Sequence, residues 1–308
     1  MANELQNKVF HDETKARRWL ESHLWPDGPV CGHCGSVNDA TPIETRSGLY
    51  QCNATECRKQ FTVTVGTLFE RSHIPLTKWL MAAFLFCASK KGMSSLQLSR
   101  MLGVSYKSTW FMMHRIREAM RDGQVGPIGG RNKVVEADET YVGGKAKNRA
   151  YKPESKKQIV MSLVEREGEV RSFHVENATA KTLSETARKV ADRKSYLMTD
   201  ENAAYTKLGK EFSGHGTVNH SANEYARLGN FIHTNTAENY FSLFKRGVIG
   251  TYHHISEQHL DRYLAEFDFR YNNRVGLGVN DSARSKKLLK GIVGKRLTYR
   301  RPDEAAHT

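Results

Sequence analysis

No stretch of this 308-residue sequence is apolar for long enough to cross a bilayer. The best candidate, WLMAAFLFCAS from Trp79 to Ser89, falls well short of the roughly 20 residues that a spanning helix needs. The opening MANELQNKVFHDETKARRW holds no apolar core of the signal-peptide kind. Together these set the expectation of an intracellular, cytoplasmic protein with no membrane partner. Acids are also in deficit, 33 Asp and Glu against 47 Lys and Arg, for a formal net charge of +14. A merely soluble basic surface is the bland reading, and a polyanionic partner, most often nucleic acid, is the sharper one. The length suffices for one sizeable domain with one or two small ones.

Cysteine is scarce too, at five residues, yet four of them are paired closely: CGHC (Cys31, Cys34) and CNATEC (Cys52, Cys57). A C-x2-C-x17-C-x4-C spacing in a reducing compartment predicts a structural Zn2+ site of the ribbon type, because each close pair can turn around one ion. Disulfides are disfavoured in that compartment. His33, between two thiolates, is expected to point away. IETRSGLYQC and KQFTVTVGT, on either side of the second pair, read as strands of a hairpin. A ribbon this small takes its stability from the metal. Cys87 lies in an apolar helix and reads as core.

Three helices are predicted between Pro75 and Arg121: PLTKWLMAAFLFCASKKG, SSLQLSRMLG and SYKSTWFMMHRIREAMR. The tight LGVS turn between the last two has the shape of a helix-turn-helix. On that reading Ser105, Lys107, Ser108 and Thr109 sit at the exposed start of a recognition helix, with Arg115 further along it as another DNA contact. Nine basic residues against three acidic ones from Thr67 to Gln124 suit a DNA-facing module. Trp110, Phe111, Met112 and Met113 read as core in either case.

A Gly-rich linker, DGQVGPIGGR, marks a boundary, and strands follow it. KVVEADETYV, QIVMSLVERE and EVRSFHVENA precede a helix, TAKTLSETARKVADR, and a fourth strand, SYLMTD. That order suits a ribonuclease-H-like α/β domain. Asp138 falls in the first strand and Asp200 at the end of the fourth, neighbours in that topology. Glu238 follows in HTNTAENYFSLFKRGVIG, where Thr236 can cap a helix and Lys245 lies about two turns on along the same face. Carboxylates are the oxygen ligands that Mg2+ prefers. Glu136 shares a strand face with Asp138 and is its geometric rival, Glu139 points the other way, and Glu201 shadows Asp200.

ADETYVGG, MTDENAAY, VNHSANEYAR, HTNTAENYFSLFKRGVIGTYHHIS and LDRYLAEFDFRYNNR resemble the catalytic core of bacterial insertion-sequence transposases of the fifteen-ninety-five (ISXO-two-like) group. WPDGPVCGHCGS and RKQFTVTVGTLFE resemble that group's zinc ribbon, with C-x4-C where C-x2-C is usual. The resemblance implies a DDE transposase with Asp138, Asp200 and Glu238 as its triad on Mg2+ or Mn2+, and Lys245 as the basic residue after the third acid. Asn in the third position of some members keeps Asn235 and Asn239 as rivals of Glu238. It also implies transposon ends and target DNA as partners, a homo-oligomer on DNA, and a bacterial, nucleoid-associated location.

The multidomain α/β arrangement expected is an N-terminal helix and zinc ribbon over 1–66, a helix-turn-helix domain over 67–124, a ribonuclease-H-like catalytic domain over 130–275 and a basic tail over 276–308. The reaction expected is metal-dependent 3′-end cleavage at terminal inverted repeats followed by strand transfer. Lys245 would hold a phosphate. Tyr141, Tyr205 and Ser242 read as packing or DNA contacts, and His215, His220, His233, His253 and His254 as DNA contacts or support for the acids. Two other classes stay open: a transposase-derived DNA-binding regulator, and a ribonuclease-H-like nuclease that never joins strands.

Overall fold

The computed structural model describes residues 4–121, 126–143, 157–219, 226–229 and 231–298. The chain forms two compact units, one of residues 1–122 with 280–308 and the other of residues 123–279. The basic loop after Gly143 and most of VNHSANEYAR lie outside the described residues.

The first unit opens with helix α1 (Glu13–Leu24), capped by Asp12 through the Lys15 amide at 3.0 Å. A three-stranded antiparallel sheet follows: β1 (Ala40–Pro42), β2 (Tyr50–Cys52) and β3 (Gln60–Phe61). The strand expected over IETRSGLYQC is thus extended only at its end. Residues 43–49 make the turn, with Arg46 and Leu49 amides closing on the Ile43 and Arg46 carbonyls and Gly48 at a φ of +80°. Trp25, Tyr50 and Phe61 form one aromatic cluster beneath this sheet, their centroids 5.5–5.9 Å apart.

Helix α2 (Leu76–Ala88) is apolar on nearly every side, and Trp79, Leu80, Ala82, Ala83 and Phe86 are buried. It stops at Ala88, short of the Gly92 expected. Pro75 leaves the start of α2 without a side-chain cap, and Glu13 of α1 supplies one, accepting from the Leu76 and Thr77 amides at 2.8 and 3.2 Å. Helices α3 (Ser95–Leu102) and α4 (Tyr106–Met120) are capped by Ser94 and Ser105, and Gly103 ends α3 in the left-handed region at a φ of 60°.

The region read as a basic tail is structured up to residue 298. Helix α9 (Asp281–Lys290), the last of the chain's described helices, packs on α1, α2 and α4; it buries Leu288 and Leu289, and the turn after it buries Ile292. Two cations of this region satisfy helix ends. Arg284 donates to the Cys87 carbonyl at 2.8 Å, and Lys295 reaches the α4 terminus at the Glu118, Ala119 and Arg121 carbonyls. A count of charge hid the apolar i, i+1, i+4 set that docks this helix. Residues 299–308 lie outside the described ones.

The second unit is built on a five-stranded sheet ordered β6-β5-β4-β7-β8. Its strands are β4 (Val134–Val142), β5 (Gln158–Glu165), β6 (Val170–Val175), β7 (Tyr196–Thr199) and β8 (Gly214–Thr217). β4, β5 and β6 run antiparallel in succession, whereas β7 is parallel to β4 and β8 to β7. Helices α5 (Ala180–Val190) and α6 (Tyr205–Gly209) join Val135, Ala137, Leu163 and Leu197 in one core. Helices α7 (Asn235–Gly247) and α8 (Leu260–Asn272) join Val142, Val160, Val164 and Val170 in another. Central β4 therefore has a core on each face, and its side chains alternate between them.

Within the second core lies a polar node. Asp268 of α8 accepts from the Ser172 amide and hydroxyl at 2.8 and 2.7 Å and from Tyr240 at 2.5 Å, and Ser172 meets Ser162 at 2.8 Å. Burial pushes the Asp268 carboxyl up to about 6 against the pull of those donors.

Leu288 is fully buried, so Leu288→Ala is expected to cost about 2–5 kcal/mol of stability. Urea unfolding of the full chain measures it; a loss below roughly 0.5 kcal/mol, the surface range, would show that α9 is not part of the core.

Candidate active site

Strand β4 carries Glu136, Asp138 and Glu139, and the structure gives each a different surrounding. Asp138 is paired in register with Ser162 of β5. On its other side β7 runs parallel, with Glu136 opposite Met198. The same offset carried two residues on sets Asp138 beside Asp200, which follows the last residue of β7. Asp138 accepts from the Glu139 amide at 2.8 Å. Burial first, then the negative charge of Asp200, pushes its carboxyl up to about 7, and Glu139 and Glu238 add to the rise. Three acids distant in sequence are thus electrostatic neighbours: Asp138, Asp200 and Glu238.

Glu238 is exposed on the first turn of α7, its amide bonded to the Thr234 carbonyl at 3.0 Å. The helix starts at Asn235, so Thr236 is not its cap as expected. It lies inside the first turn and donates both its amide and its hydroxyl to Glu136, at 2.8 and 2.9 Å. The Ala237 amide adds a third bond to Glu136 at 3.0 Å. Lys245 is exposed in the last turn of α7. Asn235 and Asn239 are exposed on the same helix.

Glu136, the rival of Asp138 in the sequence, is fully buried and fully engaged. Besides the α7 amides it takes the Arg166 Nε at 2.6 Å and lies 3.2 Å from the His233 Nδ1. Arg166 continues to the Phe231 and His233 carbonyls at 2.7 and 3.0 Å. Of the histidines expected to support the acids, His233 does so through Glu136. His215 instead meets the Thr199 hydroxyl at 3.0 Å, and burial lowers its pKa. His253 and His254 are exposed, and His220 lies outside the described residues.

Glu139 faces the opposite core and accepts from Asn202 Nδ2 at 2.7 Å and from the Tyr205 hydroxyl at 2.5 Å. Burial raises its pKa while those two donors lower it. Tyr205 is wholly buried, in keeping with a packing role; Tyr141 is exposed, and Ser242 holds Arg246 at 3.1 Å. Arg166, Asn202 and the Glu136 network carried no signal in sequence spacing, because their partners lie 30 to 101 positions away.

The cysteine quartet assembles as predicted, with all four sulfurs within 4.8 Å of one another. Cys31–Cys57 and Cys34–Cys52 contacts are 3.8 and 3.7 Å. Zinc at about 2.3 Å from four tetrahedral thiolates sets sulfur–sulfur edges of about 3.8 Å, so the residues fit the ion despite the longer second pair. His33 turns aside to the Gln60 carbonyl at 3.2 Å. Among the described residues no other ligand group closes as tightly; the three acids stand more open.

On the start of α4, Ser105, Lys107 and Ser108 are exposed, as expected. Thr109 is not with them. It is completely buried, its hydroxyl 3.5 Å from the Val104 carbonyl, because the fourth helical position turns inward. Arg115 is half-buried, donates to the Leu68 carbonyl at 3.0 Å and lies over Phe111 at 4.8 Å, so it braces the unit from within. Met112 and Met113 are core; Trp110 and Phe111 are half-buried.

Residues 129–272 match the ISXO2-like transposase domain, and residues 11–60 the transposase zinc-ribbon domain. The chain belongs to the ISXO2-like transposase family. It is also 28% identical over 290 residues to a Halobacterium salinarum protein described as an uncharacterized protein in transposable element ISH50, covering 85% of this chain and 92% of that one. The matched core begins just before β4 and ends at the last residue of α8, so it contains all three clustered acids. No helix among the described residues is long and apolar enough to cross a membrane.

In the metal-free chain Asp138 is expected to titrate near 7. Asp200→Asn, by removing the second-largest cause, should lower that value while burial keeps it above the ordinary 3.8. Carbon-13 NMR of the carboxyl measures it; an unchanged value in Asp200→Asn would separate the two acids.

Proposed function

We propose that this transposase binds the terminal inverted repeats of an insertion sequence, cleaves their 3′ ends and joins them to target DNA. The observation that carries the reading is the electrostatic convergence of Asp138, Asp200 and Glu238 on one edge of the β4–β7 pair. Support for a ribonuclease-H-like domain comes from the strand order and directions, with helices on both faces of the sheet.

The donor set suits a hard cation, since three carboxylates in mutual repulsion are relieved by positive charge. Asp138, Asp200 and Glu238 would hold Mg2+ or Mn2+, which when bound supplies activation of the attacking oxygen and stabilisation of the leaving one. The chain's own residues do the rest. Asp138, raised in pKa, gives up its proton when the site is charged. Lys245 offers a fixed cation and donors to a phosphate of the bound strand. The Cys31, Cys34, Cys52 and Cys57 thiolates would hold Zn2+ and so fix the ribbon.

The turn from α3 through Gly103 to α4 supports a helix-turn-helix, with Ser105, Lys107 and Ser108 reaching DNA from the exposed helix start. Thr109 and Arg115 act inside the fold. Working on two ends, the chain is expected to assemble as a homo-oligomer on DNA. Its setting is the cytoplasm, on the nucleoid.

The test is end nicking and strand transfer with Mg2+ on DNA bearing the element's own terminal repeats. Asp138→Ala and Asp200→Ala are each expected to lower both steps by at least 10²–10³-fold, the scale for losing one group aimed at developing charge, with end binding kept. Tight end binding without cleavage in the parent chain would instead support a regulator. Cleavage without joining would support a nuclease.

A further inference from the structure

The two acids of β4 outside the proposed triad are each tied to the segment that carries one of its other members. Glu136 takes the Thr236 and Ala237 amides and the Thr236 hydroxyl, immediately before Glu238. Arg166 and His233 fill its remaining directions. Glu139 takes the Asn202 side chain at 2.7 Å, and the Asn202 amide in turn donates to Asp200 Oδ1 at 3.1 Å. Tyr205, anchored on Glu139 at 2.5 Å, pins the far end of that loop, and Asn202 Oδ1 accepts from the Ala204 amide at 3.0 Å.

We infer that Glu136 and Glu139 are positioning residues of the metal site, Glu136 for Glu238 through the first turn of α7 and Glu139 for Asp200 through Asn202. The inference rests on the triad reading above. A fully buried carboxylate paired with a half-buried guanidinium is a poor way to gain stability, because desolvation offsets the attraction. What such a pair gives is direction: the carboxylate accepts from defined amides and fixes the helix start relative to β4. Asp138 is on the same strand, between the two anchors. One strand thereby sets the mutual placement of all three ligands, although they come from a strand, a loop and a helix. Partners that orient metal ligands in this way typically change metal affinity about 10–100-fold when removed.

Mn2+ binding to the zinc-loaded full chain without DNA, followed by electron paramagnetic resonance, reads the metal site directly. Asp138→Asn serves as the reference for its loss. Glu136→Gln and Glu139→Gln are each expected to weaken Asp138-dependent Mn2+ binding about 10–100-fold. The Mg2+ concentration for half-maximal nicking should rise, and the rate at saturating Mg2+ should approach that of the parent. Glu136→Gln leaves the half-buried Arg166 with a neutral partner, so Thr236→Val and Tyr205→Phe serve as milder probes, each removing one hydroxyl donor, with thermal melting as the control. Weaker Mn2+ binding at an unchanged melting temperature supports the assignment. Parent-like Mn2+ affinity in folded Glu136→Gln and Glu139→Gln overturns it while leaving the triad intact. Mn2+ binding that Asp138→Asn does not alter would instead remove the triad reading itself, and the inference with it.

Discussion

A carboxylate on a central β-strand, with a packed core on both sides, must find donors or stay protonated, and the architecture of the second unit follows from where β4 finds them. Glu136 has no water to turn to and is satisfied by backbone amides of α7 together with Arg166. Those amides are among the groups every helix leaves unpaired at its start, so the strand and the helix each complete the other. The same solution recurs in the first unit, where Glu13 of α1 caps the proline-started α2. On the opposite face of β4, Glu139 closes on Asn202 and Tyr205. Asp138, between them, has as its strongest neighbour besides the burying protein another carboxylate, that of Asp200.

This division of labour also explains how an acid with a raised pKa persists in a strongly basic chain. Among the described residues, some of the positive charge is spent on helix ends. Lys295 closes the end of α4 and Arg284 the end of α2, whereas Arg166 is committed to Glu136 of β4. Burial and the neighbouring carboxylates hold the Asp138 pKa up, the condition under which an added divalent cation gains most.

Much of this was legible in the sequence. Alternation along KVVEADETYV placed Glu136 and Asp138 on one face and Glu139 on the other, and parallel β4–β7 pairing placed Asp200 beside Asp138. The cysteine spacing fixed the quartet, and Ser105 capped α4 as its position implied. What escaped was tertiary. Periodicity cannot show that Glu136 belongs to a helix a hundred residues away, so by spacing alone it reads as a rival ligand, and Thr236 reads as a cap although the α7 amides are met by the strand. Thr109 failed for a local reason: the fourth helical position is the first to turn back under the helix, and in α4 it meets the core. The segment after Val279 was obscured by its lysines and arginines, whose long stems are compatible with a docked amphipathic helix as well as with a solvated end.

The central claim is that three neighbouring acids on one strand have separate tasks, one to meet the metal and two to aim the other ligands. Crystals of the full chain grown with Mn2+, with the anomalous signal of the ion located, test it most directly. The account predicts an ion at about 2.1 Å from Asp138 and Asp200 oxygens, the distance of a hard octahedral cation, with Glu136 still on the α7 amides and Glu139 still on Asn202. An ion bound to Glu136 or Glu139, or α7 released from Glu136 when the metal arrives, would contradict it.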